Sequence, residues 1–278
     1  MTSPASITIR PLKTEHDFLA FEALQRETWG KELEEVVTSS LAKIVQKIGG
    51  IAAGAFDETG VMLGAIFGFS GNKDGRPIHW SHMLAVKEKA RDYGIGRRLK
   101  IYQRDELLKL GVTEVYWTYD PLVARNAHLN FNCLGVEATE YALDMYGPGD
   151  DSELFRGLGT DRFIVLWRIA SDRVAKALAG HRPLDPGVFD SAEVSVGRAD
   201  ANDVNSGPFC WKSVRGTRLR IEIPSDIHRV RSVSAKAAAQ WREQTRSAFQ
   251  FYFANGFQVR HFYRDEFTGR CYYLLERP

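Results

Sequence analysis

The sequence predicts a mixed α/β fold on three observations. Apolar runs with strand-like alternation, over residues 7–12, 51–56, 61–70, 79–86 and 112–119, are interspersed with stretches of helical periodicity. The polar break Asp57-Glu58-Thr59-Gly60 joins two of these runs as a hairpin. A glycine-bearing turn, Arg91 to Gly96, switches a strand pattern directly into a helix pattern. With 278 residues and 44% apolar side chains, the chain can build one large or two small domains with a full core.

The elements follow in order. Residues 7–12 alternate and close around Pro11, a short opening strand. Residues 15–28 and 38–48 carry apolar side chains at helical spacing, and Gly49-Gly50 stops the second helix. Strands at 51–56 and 61–70 flank the hairpin break; 71–77 reads as a polar turn, and 79–86 as the next strand. Residues 95–110 form a helix with an imperfect stripe through Ile95, Leu99, Tyr102, Leu107 and Leu110. The strand at 112–119 is halted by Asp120-Pro121, and the short helix at 124–134 ends at Gly135, a residue suited to a C-cap. Strands at 136–141 and 162–169 complete the order β-α-α-β-β-β-α-β-α-β-β.

Residues 180–208 are rich in Gly, Pro, Asp and Ser and read as a linker or a surface excursion. The rest holds a strand at 219–223, a helix at 235–254 with a core stripe at Trp241, Ala248, Phe249 and Tyr252, and strands near 258–263 and 270–275. The run VYWTYDP…NAHLNFNCLGV and the run RIEIPSD…SAFQFYFANGF share one plan: strand, break, helix, glycine, apolar residues. The tail therefore reads either as a degenerate half repeat without the glycine-bearing turn, or as a generic αβ segment. The expected division is a domain at 1–170, a linker at 171–208 and the tail at 209–278.

Composition narrows the function. The net charge is +2 and Lys and Arg are spread along the chain, so no nucleic-acid face is expected. No apolar run reaches the ~18 residues of a membrane span. Cys133, Cys210 and Cys271 are scattered without a CxxC pair, which argues against a disulfide framework and against bound metal. The start MTSPASITIR has no apolar core of a signal peptide, and a reducing cytoplasm is the expected location.

The turn carries the chemistry. Glycines let a backbone come close to a ligand and tolerate positive φ. The free N–H groups of a helix start, with the positive dipole end behind them, suit phosphate. Arg91-x-x-Gly94-x-Gly96 between a strand and a helix thus predicts a pyrophosphate cradle, distinct from the Gly-x-Gly-x-x-Gly and Gly-x-x-x-x-Gly-Lys-Ser/Thr patterns.

With His82-Met-Leu-Ala-Val86 upstream, this stretch resembles the acyl-CoA-binding signature of the GNAT N-acyltransferases, and residues 7–169 cover the element order of that fold. The resemblance implies a mixed, mostly antiparallel sheet flanked by helices, whose fourth and fifth strands splay apart around a pantetheine arm. It implies acetyl-CoA or another acyl-CoA as cosubstrate. Main-chain groups of Leu84, Ala85 and Val86 would pair with the arm, and an N–H near Leu84 would hold the thioester oxyanion. Arg91, Asp92, Tyr93, Gly94, Ile95, Gly96 and Arg97 would surround the pyrophosphate. Asn126, Asn130 and Phe131 would lie against the pantetheine end, Phe131 at the position where many members carry a proton-donating Tyr. Trp80 stands where several members carry a catalytic glutamate.

A primary amine attacks a thioester only as the free base, and a histidine can take its proton. His82 occupies the position of a strand histidine in the arylalkylamine acetyltransferases and is the candidate base; it reads equally as a hydrogen-bonded, half-buried strand residue. Strict alternation puts Trp80, His82, Leu84 and Val86 on one face and His79, Ser81 and Met83 on the other, so the two histidines do not share a metal. Trp80, Trp117, Tyr119 and Tyr146 are candidates for an acceptor pocket, although strand aromatics are also ordinary core. Asn126 and Asn130 also read as helix-start polar residues. The loop from Tyr146 to Asp151, with Arg156, is a candidate for specificity. The expected activity is acyl transfer, acetyl by default, to a small-molecule primary amine by direct attack. Alternatives are a non-catalytic acyl-CoA-binding module, transfer of succinyl or another acyl group to an amino acid, and acylation of a protein lysine. The expected state is a monomer with a pseudo-repeat or a homodimer.

Overall fold

A computed structural model describes residues 6–30, 36–147, 158–181, 189, 191–198, 207–208, 211 and 216–277. Pro148 to Asp151 and Arg156 of the loop expected to set specificity, Cys210, and most of the Gly/Pro-rich stretch at 180–208 lie outside the described residues. The chain forms two compact units: residues 1–117 with 168–170, and residues 118–167 with 171–278.

In the first unit the strand order is β1 (Thr8–Pro11), β2 (Ile51–Phe56), β3 (Met62–Lys73), β4 (Arg76–Val86) and β5 (Glu114–Tyr119). The first four pair antiparallel, and β4 pairs parallel with β5. The turn expected over 71–77 narrows to Asp74-Gly75, whose φ values of 53° and 77° make a two-residue turn that matches strand twist. The polar residues around it stand on the exposed hairpin arms rather than in a loop.

Helix α1 (Glu15–Trp29) opens with a capping box between Thr14 and Asp17. Asp17 also takes two hydrogen bonds from Arg10, at 2.7 and 2.9 Å, which ties the helix start to β1. Helix α2 (Ser39–Lys47) is capped by Thr38. Phe18, Phe21 and Leu24 of α1 and Val45 of α2 form one core cluster with Phe67 of β3 and Met83 and Ala85 of β4. Helix α3 (Ile95–Lys109) buries Ile95, Leu99 and Leu107 of the stripe read from the sequence, with Tyr102 half-buried, while Leu110 lies past the helix end and is exposed.

In the second unit the strand order is β7 (Arg162–Arg168), β6 (Glu137–Ala142), β10 (Gln258–Arg264), β11 (Cys271–Glu276), β9 (Arg218–Ile223) and β8 (Glu193–Val196). All of these pair antiparallel except β8 with β9. Helix α4 (Ala124–Ala127) widens into a π-helical turn (His128–Leu134) that ends at Gly135 with φ 73°. Helix α5 (Asp172–Leu178) and β8 fall in the stretch expected as linker; both are too short to show a periodicity. Helix α6 (Ile227–Val233) precedes α7 (Ala235–Ala254), which buries Trp241, Ala248, Phe249 and Tyr252 as its stripe implied. The observed class is that of the sequence reading: mixed strands flanked by helices, in the expected order through β7. No helix among the described residues is long and apolar enough to cross a membrane.

Candidate functional site

The β3–β4 pair carries a bulge at the center of the expected site. Phe67 lies opposite Met83, and Phe69 opposite Trp80, so β4 spends one more residue than β3 over this span. Phe67 and Phe69 are two apart and share a face; their partners Met83 and Trp80 share it too. His82 joins them, its ring 6.1 Å from Phe67 and 6.2 Å from Phe69. Ser81 and His79 turn the other way, to Lys100 and Gln103 of α3. This corrects the strict alternation of the sequence reading: Trp80, His82, Met83 and Ala85 share the side of α1, because the bulge absorbs one step of the pleat. His79 and His82 still point to opposite faces. Among the described residues no group of His, Cys, Asp and Glu is placed to hold a metal ion.

The parallel pairing of β4 with β5 runs from Ile78↔Glu114 to Trp80↔Tyr116. Strand β4 continues through Ser81 to Val86, past its last partner on β5. A sheet that opens this way leaves a strand edge whose N–H and C=O groups can receive an extended ligand.

The turn after Val86 begins with the Lys87 N–H donating to the Leu63 carbonyl at 2.9 Å. A short 3₁₀ turn, Glu88–Ala90, leads to Asp92 with φ 71° and Gly94 with φ 68°. Gly94 caps α3 with no side-chain hydrogen bond, and a Cβ there would meet nothing within 4 Å. The helices α1, α2, α5, α6 and α7 start on Thr14, Thr38, Ser171, Asp226 and Ser234, each with a side chain accepting a first-turn N–H. The first turn of α3 has no such side chain and no acidic residue, and Arg97 and Arg98 stand in it. Basic residues at a helix start oppose the dipole, so this start is poor for helix stability and well suited to an anion. Arg91 and Asp92 are exposed, Tyr93, Gly96 and Arg97 half-buried, and Ile95 buried, so Ile95 has its main chain to offer.

The other expected residues are placed differently. His82 is exposed and Trp80 half-buried, on the same face as the partly exposed Phe69. Trp117 is buried, with the Lys100 Nζ 3.5 Å from its ring center. Tyr119 is buried, its hydroxyl 3.1 Å from that of Tyr273, and burial pushes its pKa up. These two do not line an open surface as the sequence reading had them; the strand face they stand on is packed. Tyr146 is exposed, its hydroxyl 2.9 Å from Thr118 Oγ1. Asn126 is exposed, and Asn130 is buried with its carbonyl accepting the Val136 N–H at 3.1 Å. Phe131 is fully buried, edge-on to Tyr273 at 5.8 Å, so its ring belongs to the core of the second unit rather than to a ligand surface.

Sequence reasoning missed a buried polar chain in the first unit. Lys100 Nζ donates to Ser81 Oγ at 2.8 Å and to Gln103 Oε1 at 3.2 Å. Gln103 Nε2 is 3.1 Å from His79 Nε2, and His79 Nδ1 is 3.1 Å from Ser70 Oγ. Burial, with the nearby Lys100, holds the His79 pKa down at about 3. The available signal was Lys100 and Gln103, three apart on a helix whose neighboring positions Leu99 and Leu107 face the core. An open cleft of about 380 Å³ lies elsewhere, between Lys73, Asp74, Arg76, Glu114 and Tyr116 at the hairpin end of β3 and β4, and holds none of the expected site residues.

Neither a family model nor a curated protein matches the chain. Solved structures with a similar course include the NatC complex bound to Gag peptide and CoA, with a TM-score of 0.47 and 16% identity over 58% of this chain and 98% of that one. The ribosomal-protein-S18-alanine N-acetyltransferase from Escherichia coli gives 0.45 and 19% over 60% and 96%. Aminoglycoside 6'-acetyltransferase type Ii gives 0.46 and 19% over 59% and 98%.

Proposed function

We propose that this protein is an acyl-CoA-dependent N-acyltransferase of the GNAT superfamily. The observation that carries this reading is the fork: β4 loses β5 after Trp80 and then runs straight into a helix start that no side chain caps. An extended pantetheine arm fits the free edge of Leu84, Ala85 and Val86 as an added strand would. The amides from Gly94 to Arg97, with Arg91 and Arg97 beside them, fit its pyrophosphate.

The residues on this face give each step a group. An N–H near Leu84 polarizes the thioester carbonyl and holds the oxyanion as the acceptor nitrogen adds. His82 takes the proton of the attacking amine, directly or through water. The C–N bond forms, the C–S bond breaks, and the departing thiolate takes its proton from solvent, since Phe131 is buried and has none to give. Phe69 and Trp80 flank His82 and offer the acceptor an aromatic shelf.

Acetyl is the default acyl group, and a small-molecule amine or amino acid the acceptor, with the cytoplasm as the proposed location. In the tail, β9, α7, β10 and β11 follow the order of β5, α4 with its π turn, β6 and β7, with the short helix α6 added between β9 and α7, which supports the half-repeat reading within a domain division at 1–170, 171–208 and 209–278. The second reading is an acyl-CoA-binding module without turnover, favored by Trp80 and Phe131 at two positions where relatives carry reactive groups. A thiol-release assay with several acyl-CoAs and a panel of amines separates the two: release that depends on the amine supports the transferase, and tight CoA binding without release on any amine supports the module.

A further inference from the structure

We propose, resting on the reading above, that Lys100 is a positioning residue that ties the two prongs of the acyl-CoA fork together where they part. The last β4–β5 pair is Trp80↔Tyr116. The next residue on each strand is Ser81 and Trp117, and both meet the same amine. Lys100 Nζ donates to Ser81 Oγ at 2.8 Å and lies 3.5 Å from the center of the Trp117 ring. Lys100 stands on α3, the helix whose start forms the proposed phosphate cradle, so a single helix sets both the cradle and the apex of the fork.

A second tier holds the amine in place. Gln103 Oε1 accepts from Lys100 Nζ at 3.2 Å, and Gln103 Nε2 donates to His79 Nε2 at 3.1 Å. That leaves the His79 Nδ1–H for Ser70 Oγ at 3.1 Å, and the Ser70 hydroxyl donates to the Gly49 carbonyl at 3.0 Å. His79 pairs with Val115 just below the apex, so the chain reaches both sides of the point of divergence.

An amine in this position is costly. Lys100 is 2% exposed, and burial depresses its pKa. An apolar side chain of the same length would fill the volume without the desolvation penalty. The geometry assigns the amine to the separation of Ser81 and Trp117, which it touches at once. Where Ser81 and Trp117 would otherwise approach to extend the ladder, the Nζ and the indole face keep them apart at a fixed spacing, and the thioester end of the arm enters that spacing.

The test is Lys100→Met, which keeps the length and removes the amine. Melting temperature, CoA and acetyl-CoA affinity by calorimetry, and hydrogen exchange of the Ser81–Val86 amides are measured on the full chain. The expected result is an unchanged or higher melting temperature, affinity weaker by about tenfold, and faster exchange at Ser81–Val86. Ser81→Ala is expected to move affinity and exchange the same way by less, and decides the matter if Lys100→Met does not fold. Wild-type affinity and wild-type exchange in the variant that folds would overturn the proposal. If the unmodified protein binds no CoA, the transferase reading fails, and the exchange data alone still decide whether Lys100 sets the fork.

Discussion

Gly68 and Trp80 approach so closely across β3 and β4 that a Cβ on Gly68 would lie 2.5 Å from the Trp80 carbonyl oxygen and 3.0 Å from Ser81 Cα, and would also meet His79 Nε2. Gly68 sits between Phe67 and Phe69, opposite the bulge. The bulged strand thus packs against a position on β3 that has no room for a side chain. Across the bulge Met83 joins Trp80 and His82 on the face of Phe67 and Phe69, while His79 turns to α3.

Gly68→Ala is expected to destabilize the protein by about 2 kcal/mol, the order of an overpacked core. Because the clash falls on backbone atoms of the bulge, the loss of acyl transfer should exceed what reduced stability explains. Chemical denaturation and turnover measured on the folded fraction check this. A variant of full activity would separate the bulge from the site.

The acid limb of stability should report the histidines that the fold withdraws from water. His79 is held at about 3 and His261 at about 4, both by burial, against an ordinary value of 6.5. The unfolded chain therefore binds protons that the folded one refuses. The contribution is complete above pH 6.5 and declines as pH falls toward 3, by up to ~1.4 kcal/mol per pH unit for each histidine. His79→Gln is expected to flatten this decline and leave the shares of His261 and of His128, whose pKa burial also lowers. An unaltered stability profile between pH 6 and 4 would show that His79 is not buried neutral.

The second unit has a charge cluster with the opposite exposure balance. Arg246 Nε donates to Asp161 Oδ2 at 2.8 Å and Nη2 to Asp161 Oδ1 at 2.6 Å, and the Tyr141 hydroxyl donates to the same carboxylate. Asp161 is fully buried and its pKa is held down by these partners against desolvation. Arg246→Leu leaves a buried carboxylate short of its cation and should cost roughly 3 kcal/mol. The double variant with Asp161→Asn should recover part of that loss. Equal stability of single and double variants, measured by urea unfolding, would contradict the pairing.

His82→Ala is expected to lower turnover about 10²-fold at pH 7, the usual worth of a general base. The deficit should shrink as pH rises and more acceptor is present as free amine. A pH–rate profile parallel to that of the unmodified protein would remove His82 from the mechanism.

Much of this arrangement was legible in the residues. The switch from Val86 to Ile95 located the turn, and the stripe through Leu99 and Leu107 placed α3 on the sheet. Asp74-Gly75 was a hairpin signal hidden inside a run of polar residues that are polar because the arms are exposed. The bulge was not legible, since a period of two cannot show where a ladder absorbs an extra residue; Gly68 in an apolar strand was its one trace. Lys100 escaped because a lysine on a helix ordinarily reads as solvated. Phe131, Trp117 and Tyr119 escaped for the converse reason: an aromatic near a motif looks like a ligand contact until packing is known.

In the proposed function, the uncapped start of α3 beside the free edge of β4 holds the pyrophosphate and arm of an acyl-CoA. Titration calorimetry of CoA against the unmodified protein and Gly96→Asp tests it most directly. A carboxylate at a helix start favors the helix by ~0.3–1 kcal/mol and repels phosphate. The expected result is binding by the unmodified protein, and in Gly96→Asp an equal or higher melting temperature with binding lost. Equal CoA affinity in the two proteins, or none in either, would contradict it.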